Sequence, residues 1–204
     1  MKKYFLTLLV CLIASVANSQ ESGNYFLVVD NDTIPVSLGE EFKFKPKRGK
    51  EVSMKLIQPN ELTFSDSMIS FKYPKNGSVS VTDIGSGIQQ LMFATATGTG
   101  YMVQEYTTMD PSSLVRFMLM EITKESLNYG YTKTEKPFKK ELADGTIIEG
   151  IEAVMEYRGE VETFIVASYG KNNSGLMIMT MQMNEGEKER EVIDLFLNTL
   201  KIKI

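Results

Sequence analysis

A run of alternating methionines near the C-terminus carries the clearest hydrophobic pattern of the chain. One face of a strand over Gly175–Asn184 would hold four thioether side chains: Met177, Met179, Met181 and Met183. The other face would hold Leu176, Ile178, Thr180 and Gln182. Because both faces are largely apolar, neither can face water along its whole length. The pattern predicts a strand in the middle of a sheet that is covered on both sides.

Two amphipathic helices are the predicted covers. The first begins at Asp110-Pro111, where Asp suits an N-cap and Pro the first helical position, and it ends at Gly130. Its apolar stripe comprises Leu114, Val115, Met118, Leu119 and Ile122. The second follows a predicted cap at Asn184, and its stripe comprises Val192, Ile193, Phe196 and Leu200.

The remaining pattern predicts short strands. Residues 131–142, 147–157 and 161–167 form a meander that leads into the methionine strand. Lys75-Asn76-Gly77 predicts a hairpin between a strand over residues 69–73 and a return strand through Val79 and Val81. Residues 88–95 and 101–107 form a further pair. Runs of strands with two helices inserted indicate an α+β fold with an antiparallel sheet.

The N-terminal residues predict export. Lys2 and Lys3 precede an apolar run, and small residues lead up to Ser19, so residues 1–19 are predicted to be a signal peptide cleaved near Ser19. Lipidation of Cys11 is the disfavoured alternative, because Val10 does not fit a lipobox. Residues 20–58 are predicted to form a small β-meander and residues 59–204 the main domain. We expect no membrane span in the mature chain, which would be periplasmic or extracellular.

From Ile69 onward the chain resembles the PsbP-like superfamily. The resemblance rests on Ser70–Pro74, on Asp144-Gly145, Gly150 and Tyr157-Arg158-Gly159 in the meander, and on Phe196–Leu200. It implies an α-β-α sandwich with an antiparallel sheet flanked by two main helices. It also implies protein partners and no shared active site, so no functional residue is carried over. The whole chain resembles exported proteins of Bacteroidetes-type bacteria.

Composition excludes several kinds of chemistry. The chain has no histidine and a single cysteine, Cys11, which lies in the predicted signal peptide. Disulfides, zinc sites built on His and Cys, and catalytic triads are therefore excluded from the mature chain, and we expect no cofactor. Without Lys2 and Lys3, 20 basic residues face 26 acidic ones, a net charge of −6. An acidic surface argues against nucleic acid as a partner.

The methionine face has two interpretations. Thioether sulfur is a soft ligand suited to Cu(I), so Met177, Met179, Met181 and Met183 are candidate metal ligands. Methionine is also an adaptable core residue, and neighbouring side chains on one strand face lie about 6.7 Å apart, too far to share one ion readily. We favour the core interpretation and expect no tight Cu(I) site.

Three further groups are candidate site residues, two for binding and one for catalysis. Lys133, Lys136, Lys139 and Lys140 could dock an acidic partner, although Lys and Pro137 also protect an edge strand, which we favour. Phe42 and Phe44, with Tyr25 and Phe26, could form an exposed aromatic surface, although burial is the favoured interpretation. Glu152, Glu156 and Arg158 share a strand face, where an exposed ion pair is favoured over carboxylate catalysis.

These patterns predict a non-enzymatic protein-binding or scaffold module with a protein partner. The alternative is a carrier of a small molecule or a soft metal such as copper. An enzyme is the third hypothesis, and it would have to use carboxylates, Tyr or Lys. A large apolar pocket with a buried ionisable group would favour the carrier or the enzyme, whereas exposed aromatics on a flat patch would favour the scaffold.

Overall fold

A computed structural model describes residues 25–29, 32–46, 49–183 and 185–204 of the 204-residue chain. The predicted signal peptide, with Cys11 and Ser19, and the predicted cap Asn184 lie outside the described residues. The chain divides into two compact units at Gln58 and Pro59.

The described residues of the first unit form two hairpins. Its strands are β1 (Tyr25–Val29), β2 (Asp32–Val36), β3 (Glu41–Phe44) and β4 (Val52–Lys55). β1 pairs with β2 and β3 with β4, both antiparallel, and Leu38 and Leu56 form an isolated parallel bridge. The one-sided alternation of apolar residues therefore gives two separate two-stranded sheets here.

The second unit contains ten strands and two α-helices among its described residues. In chain order they are β5 (Glu61–Ser65), β6 (Ile69–Pro74), β7 (Ser80–Gly85), β8 (Ile88–Ala94), β9 (Gly100–Tyr106), α1 (Val115–Tyr129), β10 (Thr132–Glu141), β11 (Ile147–Tyr157), β12 (Glu160–Lys171), β13 (Ser174–Gln182), α2 (Glu187–Thr199) and β14 (Lys201–Ile202). A 3₁₀ turn, Ser112–Leu114, precedes α1. The α-helix thus begins at Val115 rather than at Pro111, and Asp110 Oδ1 accepts the N–H of Ser112 where the 3₁₀ turn begins.

Seven antiparallel strands form the main sheet, in the order β10-β11-β12-β13-β9-β8-β7. β13, the methionine strand, is the fourth of the seven, so the predicted central position is confirmed. Its leucine and isoleucine face packs into one apolar cluster with β6 and α2, and its methionine face packs into a second cluster with α1. The predicted meander of four strands is also present, and β10 lies at the edge.

The predicted fold class, an α-β-α sandwich flanked by two main helices, is wrong. Strands make up 54% of the described residues, and the fold is β-rich. A second, three-stranded sheet of order β14-β6-β5 lies with α2 on one face of the main sheet. The 13 residues of α2 span about 20 Å, whereas seven strands span about 29 Å, so this helix alone cannot cover the face. Ile69 and Phe71 of β6 supply the missing apolar surface.

The predicted hairpin at Lys75-Asn76-Gly77 is wrong as well. β6 pairs with β5 and β14, whereas β7 pairs with β8. The segment around Asn76 therefore carries the chain from the small sheet to the edge of the large one. Turn residues alone predicted a reversal and gave no information on which strands pair.

An aromatic stack connects the two layers on this side. The Tyr101 ring of β9 lies between Phe93, at 5.3 Å between centroids, and Phe196 of α2, at 3.9 Å. The Tyr101 hydroxyl is buried and has no hydrogen-bond partner among the described residues. A buried hydroxyl without a partner costs about 1–3 kcal/mol.

Tyr101→Phe is therefore expected to raise the free energy of unfolding by about 1 kcal/mol, because it removes only the unpaired hydroxyl. Tyr106→Phe is the matched control. Its hydroxyl donates to Gln104 Oε1 at 2.7 Å, so its removal should lower the free energy of unfolding by about 1 kcal/mol. Urea denaturation followed by circular dichroism measures both. Destabilisation by Tyr101→Phe would contradict the absence of a partner.

Candidate functional site

The C-terminus of α1 reverses the chain and places two tyrosines side by side. Gly130 ends the helix with φ 113°, a left-handed conformation that glycine adopts readily. Its N–H donates to the carbonyls of Ser126 and Leu127, and the N–H of Tyr131 donates to Ser126. Tyr129, the last helical residue, and Tyr131 therefore lie on either side of a tight, hydrogen-bonded reversal.

A third tyrosine comes from the hairpin between β11 and β12. Arg158 and Gly159 both have positive φ, 50° and 87°, which suits the two-residue turns that match the twist of paired strands. Tyr157 precedes this turn and pairs in register with Glu160. A methyl group on Gly130 would lie 3.4 Å from the Tyr157 ring, so the helix end and the hairpin are in close contact.

The three rings form a tyrosine cluster, defined here as Tyr129, Tyr131 and Tyr157. Ring centroids are separated by 6.1 Å between Tyr129 and Tyr131, 5.2 Å between Tyr129 and Tyr157, and 5.3 Å between Tyr131 and Tyr157. The Arg158 guanidinium lies 5.0 Å from the Tyr157 centroid, so the cluster already binds one cation of its own chain. Tyr129 is 70% exposed.

An acidic recess of about 410 Å³ adjoins the cluster. Its lining residues are Tyr131, Gly159, Glu160, Val161, Glu162, Met183 and Glu185. The Tyr131 hydroxyl donates to Glu160 Oε2 at 2.9 Å, and this bond raises the pKa of Tyr131 to about 12. The Ser126 hydroxyl donates to Glu162 Oε2 at 2.6 Å. Two of the three carboxylates are thus held in place by hydroxyl groups.

Aromatic faces beside fixed carboxylates suit a cationic group. Ring faces attract ammonium and guanidinium groups, and carboxylates form charge-assisted hydrogen bonds with both. The sequence interpretation missed this arrangement, because Tyr129, Tyr131 and Tyr157 come from a helix end, a loop and a hairpin. The signals present were Gly130 and the Arg158-Gly159 turn, each adjacent to a tyrosine.

The candidate soft-metal ligands lie mostly in the core. Met177 and Met179 are buried in the cluster that packs under α1, with Met155 beside them. Met181 and Met183 are half-buried and pack against the same cluster. Met183 also lines the acidic recess. No group of three or more acidic or cysteine side chains in the described part of the chain is arranged to hold a metal ion.

The four candidate lysines lie on the edge strand β10, and each is paired. Lys133 contacts Glu135 at 2.8 Å, Lys136 contacts Glu152 at 2.9 Å and Lys139 contacts Glu149 at 2.7 Å. Lys140 donates to Asn198 Oδ1 at 2.9 Å. Glu152 and Glu149 stand directly opposite their lysines on β11, so cross-strand pairing lowers the net positive charge of this strand. On the face expected to carry an ion pair, Glu152 pairs with Lys136, and the Arg158 guanidinium lies over the Tyr157 ring.

The aromatic candidates of the first unit differ in exposure. Phe42 and Phe44 of β3 are half-buried, whereas Tyr25 and Phe26 of β1 are 42% and 62% exposed. The alternation that placed Phe42 and Phe44 on one face is present, and Glu41 and Lys43 lie on the other.

A buried pair of carboxyl groups is the second site that the sequence interpretation missed. Glu105 of β9 is only 2% exposed, and it lies beside Asp66, which precedes β6. Burial, and then the charge of Asp66, raise the pKa of Glu105 to about 8. Glu105 shares a face with Tyr101 and Val103, so the alternation of β9 placed a carboxyl group at a position where a buried apolar residue is expected.

A groove with a volume of about 860 Å³ runs beside α2. Its acidic lining residues are Glu61, Glu189, Glu191 and Asp194. Glu61 is already paired with Lys72 at 2.9 Å, and Glu191 and Asp194 are exposed to solvent. This groove therefore lacks the buried ionisable group that would mark a carrier site.

Comparisons with known proteins give no family. No family model matches the chain, and no curated protein matches it. It is similar to a protein from Bacteroides thetaiotaomicron VPI-5482 in a crystal structure at 1.50 Å resolution, with 13% identity and a TM-score of 0.37. The match covers 67% of this chain and 45% of that one, so the matched part spans less than half of that protein's length. The PsbP-like resemblance stays a prediction. Within the described residues, every helix is too short or too polar to cross a membrane.

Proposed function

We propose that this chain is a protein-binding module that captures a basic side chain of a partner protein. The site is the tyrosine cluster together with the acidic recess. The supporting observation is the exposed Tyr129 ring beside a recess that contains Glu160, Glu162 and Glu185. Tyrosine is enriched among the residues that dominate binding energy at protein interfaces. The proposal assigns no catalytic step to the chain.

Charge supports a basic partner rather than an acidic one. Three carboxylates line the recess, and Arg158 is a basic group that contacts the cluster through Tyr157. Arg158 also shows that the Tyr157 ring accepts a guanidinium group at 5.0 Å. A partner's arginine or lysine would meet the exposed ring of Tyr129 on one side and the recess carboxylates on the other. The net charge of the chain is negative, as is the charge of the recess.

Site-specific photo-crosslinking tests the proposal. A benzophenone amino acid replaces Tyr129 in the full chain, in cells that make the chain naturally, and the same group at Phe117 is the control. Phe117 lies on the outer face of α1 and is 56% exposed, so the two positions match in exposure. We expect a crosslink from position 129 to one protein segment that contains arginine or lysine. Equal crosslinks from both positions, or an acidic segment, would reject the proposal.

The crosslinked segment then serves as a synthetic peptide for fluorescence anisotropy. We expect Tyr129→Ala to weaken peptide binding about tenfold, the size of a moderate interface residue. Glu160→Gln should weaken it as well, because it removes the recess charge yet leaves an oxygen to accept the Tyr131 hydroxyl. Phe117→Ala should leave the affinity unchanged. Replacement of the peptide's basic residue by glutamine should give a similar loss, and an unchanged affinity there would contradict the proposal.

A further inference from the structure

The carboxyl pair of Glu105 and Asp66 lacks a fixed positive partner. Glu105 Oε1 and Asp66 Oδ2 are both buried and accept no hydrogen bond from other N–H or O–H groups of the described residues, and the two carboxyl groups hydrogen-bond to each other. The other oxygen of Asp66 accepts the N–H groups of Met68 and Ile69, at 2.8 and 2.9 Å. Two carboxyl groups that hydrogen-bond to each other through buried oxygens need either a proton or a cation between them.

Lys203 is the nearby basic group, and its ammonium group donates hydrogen bonds to atoms other than the two carboxyl groups. Its ammonium group donates to the Ser65 hydroxyl at 2.8 Å and to the backbone carbonyl of Asp66. Both acceptors are neutral oxygens. The charge of Lys203 lowers the pKa of Glu105, but burial and Asp66 outweigh it. The neighbours of Glu105 on the adjoining strands, Gln89 and Leu176, are uncharged.

Glu105 opens onto a recess of about 370 Å³ whose lining is rich in oxygen atoms. The lining residues include Ser67, Asp83, Gln89, Glu105 and Thr107. Asp83 pairs in register with Gln89, and Gln89 pairs with Glu105, so the three side chains form a row across β7, β8 and β9. Adjacent strands lie about 4.8 Å apart, which places the Cα atoms of Asp83 and Glu105 about 10 Å apart.

The recess wall is held rigidly. Asp83 Oδ1 accepts the N–H of Gly85 at 2.8 Å, which fixes the Asp83 carboxylate at the rim. The carbonyl of Gly87 accepts both the N–H and the hydroxyl of Thr107, each at 3.0 Å. The turn between β7 and β8 is therefore attached to the end of β9. One carboxyl group lies deep in the recess and one lies at its rim, with a neutral amide between them.

We propose that this recess binds a small diamine or polyamine, with one ammonium group at Glu105, beside Asp66, and the second at Asp83. The first ammonium group takes the place of the proton that Glu105 otherwise holds. Asp83 and Glu105 are two strands apart, so they suit two charges on one flexible chain better than a single metal ion. This site is separate from the tyrosine cluster, and neither proposal depends on the other.

Binding is expected to release a proton. Glu105 is protonated at neutral pH because its pKa is about 8, and an ammonium group stabilises its ionised form. Affinity should therefore rise about tenfold per pH unit between about pH 6 and pH 7.5, and it should stop rising near pH 9, where Glu105 is ionised and the ammonium groups of the ligand begin to lose their protons.

Isothermal titration calorimetry of the full chain with 1,4-diaminobutane tests the proposal. We expect one site, release of about one proton per ligand at pH 7 in buffers of different ionisation enthalpy, and about tenfold weaker binding of butylamine. Glu105→Gln should abolish binding, and Asp83→Asn should make the diamine and the monoamine bind alike. Asp194→Asn removes an exposed carboxylate of α2 outside the recess, and it should change nothing.

Four outcomes would overturn the proposal. They are no heat of binding at millimolar diamine, equal binding of the diamine and butylamine to the unmodified chain, binding that survives Glu105→Gln, and stoichiometric uptake of Ca²⁺ that excludes the diamine. The last outcome would assign the recess to a hard cation instead. Circular dichroism of Glu105→Gln at pH 7 separates loss of binding from loss of fold.

Discussion

Phe196→Ala is expected to lower the free energy of unfolding by about 3–5 kcal/mol. Phe196 is fully buried, and its ring stacks on Tyr101 of β9 and meets Phe71 of β6 edge-on at 5.1 Å between centroids. It therefore joins α2 to both sheets of the second unit. Truncation would leave a cavity between layers that the rigid sheets cannot close, and cavity cost adds to the lost burial. Urea denaturation followed by circular dichroism measures the loss.

The matched control removes the same atoms at an exposed position. Phe117→Ala on the outer face of α1 should change the free energy of unfolding by less than about 0.5 kcal/mol. Phe196→Leu should cost less than Phe196→Ala, because it retains most of the buried volume. A loss at Phe196 no larger than at Phe117 would show that the contact between α2 and the sheets contributes little to stability.

The centre of the main sheet could be predicted because its signal is local. β13 is apolar on both faces, and only a strand covered on both sides satisfies that pattern. The edge strand β10 was predictable for the opposite reason, since Pro137 and its lysines oppose pairing with another chain. In both strands the local sequence is sufficient to indicate the position of the strand in the sheet.

The layer over the sheet could not be predicted, because its pairings are distant in sequence. β6 pairs with β14, at the far end of the chain, through Ile69 and Ile202. No local pattern encodes a pairing across 133 positions, whereas Lys75-Asn76-Gly77 carries a strong turn signal. The hairpin was predicted from this local turn signal. The α-β-α sandwich was predicted because the distant pairing of β6 with β14 was missed.

The candidate sites also differ in whether the local sequence indicates them or whether they depend on distant pairing. The tyrosine cluster depends on the register of β10 with β11, which brings Thr132 opposite Glu156 and hence Tyr131 next to Tyr157. The sequence alone does not fix that register. Glu105 was accessible to sequence analysis, because it follows Tyr101 and Val103 on the buried face of β9. A carboxyl group at a buried position of an apolar face is a signal of strain or function.

Stability is expected to fall as pH rises from 5 to 8, and Glu105→Gln is expected to remove that fall. The pKa of Glu105 is 4.5 in the unfolded chain and about 8 in the folded protein. Between these values the unfolded state binds fewer protons than the native state, so the free energy of unfolding decreases with pH. One pKa unit corresponds to about 1.4 kcal/mol, which gives a loss of about 3–4 kcal/mol over this range.

Few other groups contribute to the pH dependence of the free energy of unfolding between pH 5 and pH 8. The chain has no histidine, so no imidazole titrates between pH 5 and pH 8. Hydrogen bonds from Ser112 and Lys133 lower the pKa values of Asp110 and Glu135, and their contributions are lost only below about pH 4.5. The downward slope between pH 5 and pH 8 can therefore be assigned to Glu105.

The amide of Glu105→Gln is uncharged at every pH in this range and can donate a hydrogen bond to Asp66. The variant should therefore be as stable as the unmodified protein at pH 5. At pH 8 its free energy of unfolding should be larger by about 3 kcal/mol. Glu149→Gln removes an exposed carboxylate paired with Lys139, and it should retain the slope of the unmodified protein. Urea denaturation at four pH values measures all three proteins. Two results would contradict this prediction: a free energy of unfolding that does not change with pH in the unmodified protein, or a pH dependence that persists in Glu105→Gln. Either would mean that Glu105 takes up no proton on folding. It would also remove the basis for proton release on binding of an amine.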